Sequence, residues 1–231
     1  MGNAPSRIGM FTDSREQTYK NRIDIGFSED YREWESLCPE KTDSVLVING
    51  HPVMEDWEDP YMRMLASFAT ERLGRVLEVG FGLGISARYI QEHAVREHVI
   101  IEANKDVFND ACTFAGRADR KTTILFGFWQ DVVSTLEPES FDGILFDTYP
   151  LSQEEIHRNH FPFFPEAFRL LKKGGVFTYY SDEIADFSDE HRLLLEKAGF
   201  RSIDKEVCRV EPPAGCLYWK SATILAPFIT K

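Results

Sequence analysis

Cysteine is scarce in this chain. Only Cys38, Cys112, Cys208 and Cys216 occur among 231 residues, and no two of them form a C-x-x-C pair. That argues against a zinc ribbon and, with no secretory signal before them, against a secreted disulfide framework. Reduced thiols and a cytoplasmic location are expected. Positive charge is short as well: 26 Lys and Arg stand against 38 Asp and Glu, a net charge of −12. This is the wrong sign for neutralising phosphates, so nucleic acid is a poor partner. No apolar run approaches the roughly 18 residues of a membrane span, and the polar Met1–Lys20 segment has no apolar signal region. Repeats and low-complexity stretches are also missing.

What is present is ordinary globular material, 43% hydrophobic and 28% charged, which excludes disorder of the whole chain and fits one domain with an N-terminal extension. The acidic excess suits a small cationic partner where it lines a cleft. On a solvated surface the same charge would serve solubility alone.

Residues 1–50 are polar and lack sustained periodicity until Ser44-Val45-Leu46-Val47-Ile48, bounded by Asn49-Gly50; they read as an arm with a short hairpin-like end. Between Val53 and Leu73, Met54, Trp57, Tyr61, Met64, Leu65 and Phe68 recur at helical spacing, and Pro60 marks a first helical turn. Beyond that, strands are expected at 75–79, 98–102, 122–126, 143–147 and 175–180. They alternate with helices at 84–93, 106–115, 163–171 and 190–198. Such alternation predicts an α/β, Rossmann-like fold with a mostly parallel sheet and helices on both faces. Ser202–Val210 and Leu217–Ile229, around Pro212-Pro213-Ala214-Gly215, read as an antiparallel hairpin that completes seven strands.

The segment Val76-Leu77-Glu78-Val79-Gly80-Phe81-Gly82-Leu83-Gly84 sets three glycines at alternate positions between a buried strand and a helix. There the backbone must turn tightly and come close to a ligand. Glu102, at the end of the next strand, is placed to accept hydrogen bonds from ribose hydroxyls, which indicates an adenosine-bearing ligand. The third glycine falls one residue earlier than in G-x-G-x-x-G, which favours a ligand without a pyrophosphate. The pattern, headed by Glu78, resembles motif I of class I S-adenosylmethionine-dependent methyltransferases. In that setting Phe128 or Trp129 would flank adenine, and Gln130 or Asp131 would accept from its amine. Phe141-Asp142-Gly143-Ile144-Leu145-Phe146-Asp147 would end the fourth strand on a carboxylate at the sheet's carboxyl edge. A plain glycine turn and an Asp that caps the following turn are the alternatives.

Asp147-Thr148-Tyr149-Pro150 departs from the Asn/Asp-Pro-Pro-Tyr loop of methyltransferases that act on amide or adenine nitrogen. Taken with Gly50-His51-Pro52-Val53-Met54-Glu55-Asp56-Trp57-Glu58-Asp59-Pro60-Tyr61-Met62, it resembles the guanidinoacetate N-methyltransferase family from about Val53 to Leu171 and again from Ala198 to Lys231. The resemblance implies guanidine-binding carboxylates at Glu58 and Asp147. It implies S-adenosylmethionine contacts at Met54, Met62, Gly80, Gly82, Leu83, Glu102, Gln130 and Asp131, alongside the motif residues Glu78 and Gly84. It also implies an N-terminal lid, residues 1–50, that covers the site with Trp34, over a methyltransferase domain at residues 51–231.

The chemistry agrees. A planar guanidinium pairs bidentately with carboxylates, and with a pKa above about 12 its nitrogen must lose a proton to become a nucleophile. Asp147 is the expected proton acceptor, Glu58 the plane-setting partner, and Thr148 and Tyr149 further substrate contacts. S-adenosylhomocysteine would be the product.

One segment departs from the family: where the family holds a substrate carboxylate through Asn, Leu, Thr and Ser, this chain reads Tyr180-Ser181-Asp182-Glu183. Ser181, Asp182 and Glu183 are therefore expected to face an amine-bearing guanidine such as arginine or agmatine, or a guanidino precursor of a natural product, in preference to guanidinoacetate. Solvent exposure of both acids is the alternative. His157 and His160 have no third ligand in view, so no metal is expected. The expectation is thus a methyltransferase acting on the guanidino nitrogen of a small cation, with neither nucleic acid nor membrane as partner; a homodimer is compatible with it. Its rivals are δ-N methylation of arginine on a protein, as in fungal enzymes with a similar catalytic domain, and a catalytically silent S-adenosylmethionine-binding module.

Overall fold

The computed structural model describes residues 16–17 and 19–231; the remainder of the arm, residues 1–15 and 18, lies outside the described residues. Residues 19–25 are helical (α1). Three short strands follow, β1 (Pro39–Lys41), β2 (Val45–Ile48) and β3 (His51–Glu55), which pair antiparallel in the order β1-β2-β3. The turn between β2 and β3 uses Asn49 at φ 51° and Gly50 at φ 78°, the left-handed conformations that a two-residue hairpin requires and that Asn-Gly supplies at low cost. Helical spacing at Val53–Glu55 is thus overridden: pairing with β2 keeps these residues extended. The helix starts later, as α2 (Asp59–Ala69) with Pro60 in its first turn.

The large sheet comprises β4 (Arg75–Val79), β5 (Glu97–Glu102), β6 (Thr122–Phe126), β7 (Phe141–Phe146), β8 (Leu171–Tyr179), β9 (Ser202–Arg209) and β10 (Thr223–Thr230), in the order β6-β5-β4-β7-β8-β10-β9. The first five pair in parallel and β10 runs antiparallel to both β8 and β9. This is the expected Rossmann-like, mostly parallel seven-stranded sheet with a C-terminal hairpin. The interior strands carry near-continuous apolar runs, such as Val99-Ile100-Ile101 and Ile144-Leu145-Phe146, all essentially buried, because both of their faces are covered.

Alternation along each strand divides the core. Val76, Ile100, Leu145 and Val176 pack with Tyr61 and Leu65 of α2 and with Ile85 and Ile90 of α3 (Ile85–Glu92). Val107 of α4 (Lys105–Ala115) joins the same side. Leu77, Ile101, Ile144 and Phe177 pack with Phe164 and Ala167 of α6 (Phe164–Leu170) and Leu195 of α7 (Asp189–Ala198).

Three further elements differ from the sequence reading. A short helix, α5 (Trp129–Val132), follows β6; four residues carry too little periodicity to show in a sequence. β8 begins at Leu171, and an irregular register between Phe141/Gly143 and their partners absorbs Lys172–Gly175. β10 begins at Thr223, six residues after the expected start at Leu217, because Tyr218 and Trp219 turn into the core from a loop. Strand order reverses between β4, which leads to β5 and β6, and β7, which leads to β8. A crevice opens at such a switch point, outside the carboxyl ends of the strands.

Candidate active site

Val79 and Gly80 at the end of β4, Ile101 and Glu102 at the end of β5, and Phe146 and Asp147 at the end of β7 line one cleft of about 1180 Å³ including its mouth. The glycine loop forms its floor. Gly80, Gly82 and Gly84 have φ of 93°, 53° and 69°, a backbone region that disfavours side chains. A Cβ on Gly80 would lie 1.9 Å from the carbonyl oxygen of Asp147, and one on Gly82 would lie 2.9 Å from Met54 Sδ. The loop therefore presses against the β7 end on one side and Met54 on the other. Glu102 is buried beneath it: Oε2 accepts the Phe81 N–H at 2.9 Å and Oε1 the Asn104 N–H at 2.7 Å. A bare backbone cradle, a buried acid at the next strand end and the aromatic pair Phe128 and Trp129 beside Gln130 on the same cleft fit a nucleoside with a small charged tail.

The same cleft carries acids. Glu58, at the N-terminus of α2 and 2% exposed, is held through Oε1, which accepts the Glu55 N–H at 2.9 Å and the Tyr218 hydroxyl at 2.5 Å. Asp147 faces the same cleft, and among the described residues its carboxylate accepts no hydrogen bond. Burial, reinforced by the charge of Asp147, pushes Glu58 up to about 8. Burial, with Asp182 and Glu78 as negative neighbours, pushes Asp147 up to about 7. Asp182 behaves oppositely: despite its burial, His157 at 3.2 Å holds it well below the usual carboxylate range. A buried Glu58 and a half-buried Asp147, both resisting ionisation on one cleft, are chemistry that a cation would complete.

The arm covers this cleft. Trp34 stacks on Tyr149 with centroids 5.5 Å apart and planes 4° from parallel, and the Tyr149 hydroxyl meets His51 Nδ1 at 3.0 Å. Asn104 Nδ2 donates to the carbonyls of Trp34 and Leu37 at 2.9 and 2.8 Å, which ties the arm to the start of α4. Thr148 also lines the cleft, and its carbonyl accepts from Asn159 at 2.5 Å.

Seven sequence-expected site residues are not among the cleft's lining. Met62 is fully buried in the core, one helical turn beyond Glu58 and away from the mouth. Glu78 is turned under the loop, where it accepts from Ser86 Oγ and meets His98 Nε2 at 2.9 Å. Leu83 directs its N–H to Met54 Sδ at 3.3 Å, and Gly84 serves the turn, since a Cβ there would strike the Phe81 ring at 2.7 Å. The Asp131 carboxylate is drawn outward by Arg32, at 3.0 Å. Ser181 donates to the Leu225 carbonyl at 2.7 Å, and Glu183 accepts the Ser188 N–H at 3.3 Å beside His191. Past the end of β8 the chain is not extended: Asp182 has φ 54°, and this turn leaves Tyr180 and Asp182 on the cleft while Ser181 and Glu183 bond elsewhere.

Arg22, Tyr180, Asn159 and Tyr218 line the cleft without having been singled out in the sequence. Only Tyr180 and Asn159, close in sequence to segments already of interest, carried any signal. Among the described residues no group of three or more His, Cys, Asp or Glu side chains could hold a metal ion, and no helix is long and apolar enough to cross a membrane.

Comparison with known proteins agrees with this geometry. A chain named protein arginine N-methyltransferase 2 from Yarrowia lipolytica is 30% identical over 193 residues, 79% of this chain and 40% of its own length. Its namesake from Saccharomyces cerevisiae is 30% identical over 163 residues, 64% of this chain and 38% of its own. The chain thus spans about 40% of the length of the curated relatives it matches. Spermidine synthase from Thermotoga maritima shares the fold at a TM-score of 0.59 and 18% identity, over 84% of this chain and 72% of that one. A profile for guanidinoacetate N-methyltransferase matches residues 28–231, and so also takes in residues 172–197, where the sequence resemblance had lapsed. With that match and the cleft it encloses, the chain belongs to the guanidinoacetate N-methyltransferase family.

Proposed function

We propose that the protein transfers a methyl group from S-adenosylmethionine to a guanidino nitrogen of a small molecule. The observation that carries this reading is the pair Glu58 and Asp147, which come from distant parts of the chain, line the same cleft as Gly80 and Gly82, and are both reluctant to ionise without a cation. The family match supports use of S-adenosylmethionine, which when bound supplies an electrophilic methyl group on a sulfonium.

The chain's own residues would do the rest. Glu58, fixed by Tyr218 and the Glu55 N–H, offers its second oxygen to one edge of the guanidinium and sets its plane. Asp147, whose carboxylate accepts no hydrogen bond among the described residues and is pushed up to about 7, is matched to accept the nitrogen's proton at neutral pH. The arm, residues 19–37 above the acids, would exclude water as a lid once the acceptor is bound. Methylation of arginine within a protein is the second reading, favoured by the names of the fungal relatives. Against it stands the arm, whose Trp34 stacks on Tyr149 over the cleft a peptide would have to reach.

Incubation with methyl-labelled S-adenosylmethionine and guanidinoacetate, arginine, agmatine or an arginine peptide, followed by mass spectrometry, tests the reading. Methylation of a free guanidino compound is expected. Turnover of the peptide alone would reject it, and cofactor binding without any turnover would favour a silent module.

A proton signature accompanies acceptor binding. A cation favours the ionised carboxylates, so Glu58 and Asp147 shed protons they hold in the free protein, and affinity rises with pH through about 7 to 8. Calorimetry of the S-adenosylhomocysteine complex in buffers of different ionisation enthalpy should register release of about one proton at pH 7. Proton uptake, or none exchanged, would contradict the assignment.

A further inference from the structure

The cleft contains a cation of its own. Arg22, on α1, lines the cleft together with Glu58, Asp147 and Asp182 although it is only 6% exposed. Its Cζ lies 5.3 Å from the centroid of the Tyr149 ring, on which Trp34 also stacks. Nε and Nη1 are buried, and neither has a hydrogen-bond partner among the described residues.

Among the described residues no carboxylate accepts from Nε or Nη1, although Asp147 and Asp182 both feel the Arg22 charge. Asp182 faces His157 at 3.2 Å, and Glu58 is held by Tyr218 and the Glu55 N–H. Nor is Arg22 gripped as a guanidinium between Glu58 and Asp147, since its nitrogens would then be paired. A buried guanidinium with unpaired N–H groups is costly to keep unless a ligand completes it. The ligand group that fits is planar, anionic and small: a carboxylate.

We propose that Arg22 is the carboxylate anchor of the methyl acceptor, so that the acceptor is a guanidino carboxylic acid rather than a decarboxylated guanidino amine or an arginine inside a peptide. This rests on reading the cleft as a guanidino methyltransferase site. It also reverses the expectation drawn from Tyr180-Ser181-Asp182-Glu183. Glu183 is turned away from the cleft, Asp182 faces His157 at 3.2 Å, and a positive side chain from the arm stands where a carboxylate could be met.

The test compares acceptors that differ only in the carboxylate, arginine against argininamide and guanidinoacetate against its amide, with the wild type, Arg22→Gln and Arg22→Lys. The wild type should prefer the acid of at least one pair. Arg22→Gln should raise KM for that acid about 30-fold with kcat changed less than about threefold, as expected for loss of a charge-assisted bidentate contact made equally in ground and transition states. The matching amide should be almost unaffected, and Arg22→Lys should recover part of the loss. S-adenosylhomocysteine binding by each variant reports that it is folded.

Equal losses for acid and amide, or a wild type that prefers both amides, would overturn the anchor while leaving guanidino methylation standing. No methylation of any guanidino compound by a cofactor-binding wild type would overturn both.

Discussion

Asp147→Asn is expected to lower kcat by about 10³-fold with every acceptor, the scale of a lost general base, while S-adenosylmethionine still binds. Asparagine keeps the shape of the side chain and removes only its charge and basicity. A guanidinium nitrogen has no free electron pair to offer until a proton leaves, and the Asp147 carboxylate accepts no competing hydrogen bond among the described residues. Glu58 is occupied by Tyr218 and Glu55, and Asp182 is held ionised beside His157.

The same substitution should make the free protein more resistant to urea above pH 7. The folded state holds the Asp147 proton up to about 7, whereas the unfolded chain releases it near the ordinary carboxylate value. Stability from this group is thus lost as pH rises between those values, and asparagine removes that loss. Steady-state kinetics and urea titrations at pH 6 and 8 check both halves. A variant of near-normal kcat would remove Asp147 from the role of proton acceptor.

Gly80→Ala should be the most damaging change in the cradle. Its Cβ would sit 1.9 Å from the Asp147 carbonyl oxygen, at φ 93°. Relief would require the ends of β4 and β7 to separate, although the Gly80 N–H is bonded to the Ile101 carbonyl at 2.8 Å and the Asp147 N–H to the Val79 carbonyl at 2.9 Å. Strain against backbone of this kind costs about 3 kcal/mol, and it displaces the cradle and the proton acceptor together. Cofactor affinity should fall at least about 100-fold, by the arithmetic of a loss near that size. Gly82→Ala is the control: its Cβ meets the flexible Met54 side chain at 2.9 Å, and its cost should be nearer 1 kcal/mol. Thermal shift with and without S-adenosylhomocysteine separates the two effects. Similar behaviour of the two variants would contradict the close approach of the β4 and β7 ends.

The parts of the site legible in the sequence are those in which a short stretch of chain carries both the residue and its placement. Gly80-Phe81-Gly82 after a buried strand, Glu102 at the next strand end and Asp147-Thr148-Tyr149 at the fourth each state where they lie, because strand ends in a parallel sheet meet at one edge. Met54 and Met62 show the limit. Both sit among acids in one segment, yet β3 carries Met54 onto the loop while the next helical turn buries Met62 in the core.

Asp131 was misplaced by its partner, since Arg32 of the arm pulls it outward and nothing near residue 131 announces that arm. Arg22 and Tyr218 were invisible for the same reason: one comes from a polar arm, the other from a loop read as strand, and only tertiary packing brings them to Glu58 and Tyr149. The acids at 182 and 183 could not be told apart by strand alternation: Asp182 takes a left-handed φ of 54°, and the turn it makes sends Glu183 toward Ser188 and His191 while Asp182 stays on the cleft.

The claim on which the account stands is that one guanidinium is shared by Glu58 and Asp147. A crystal structure of the protein with S-adenosylhomocysteine and a guanidino acid tests it most directly. The account predicts guanidinium nitrogens about 3 Å from carboxylate oxygens of both residues, with one nitrogen turned toward the glycine loop. A guanidinium bound elsewhere, or one touching only one of the two acids, would contradict it.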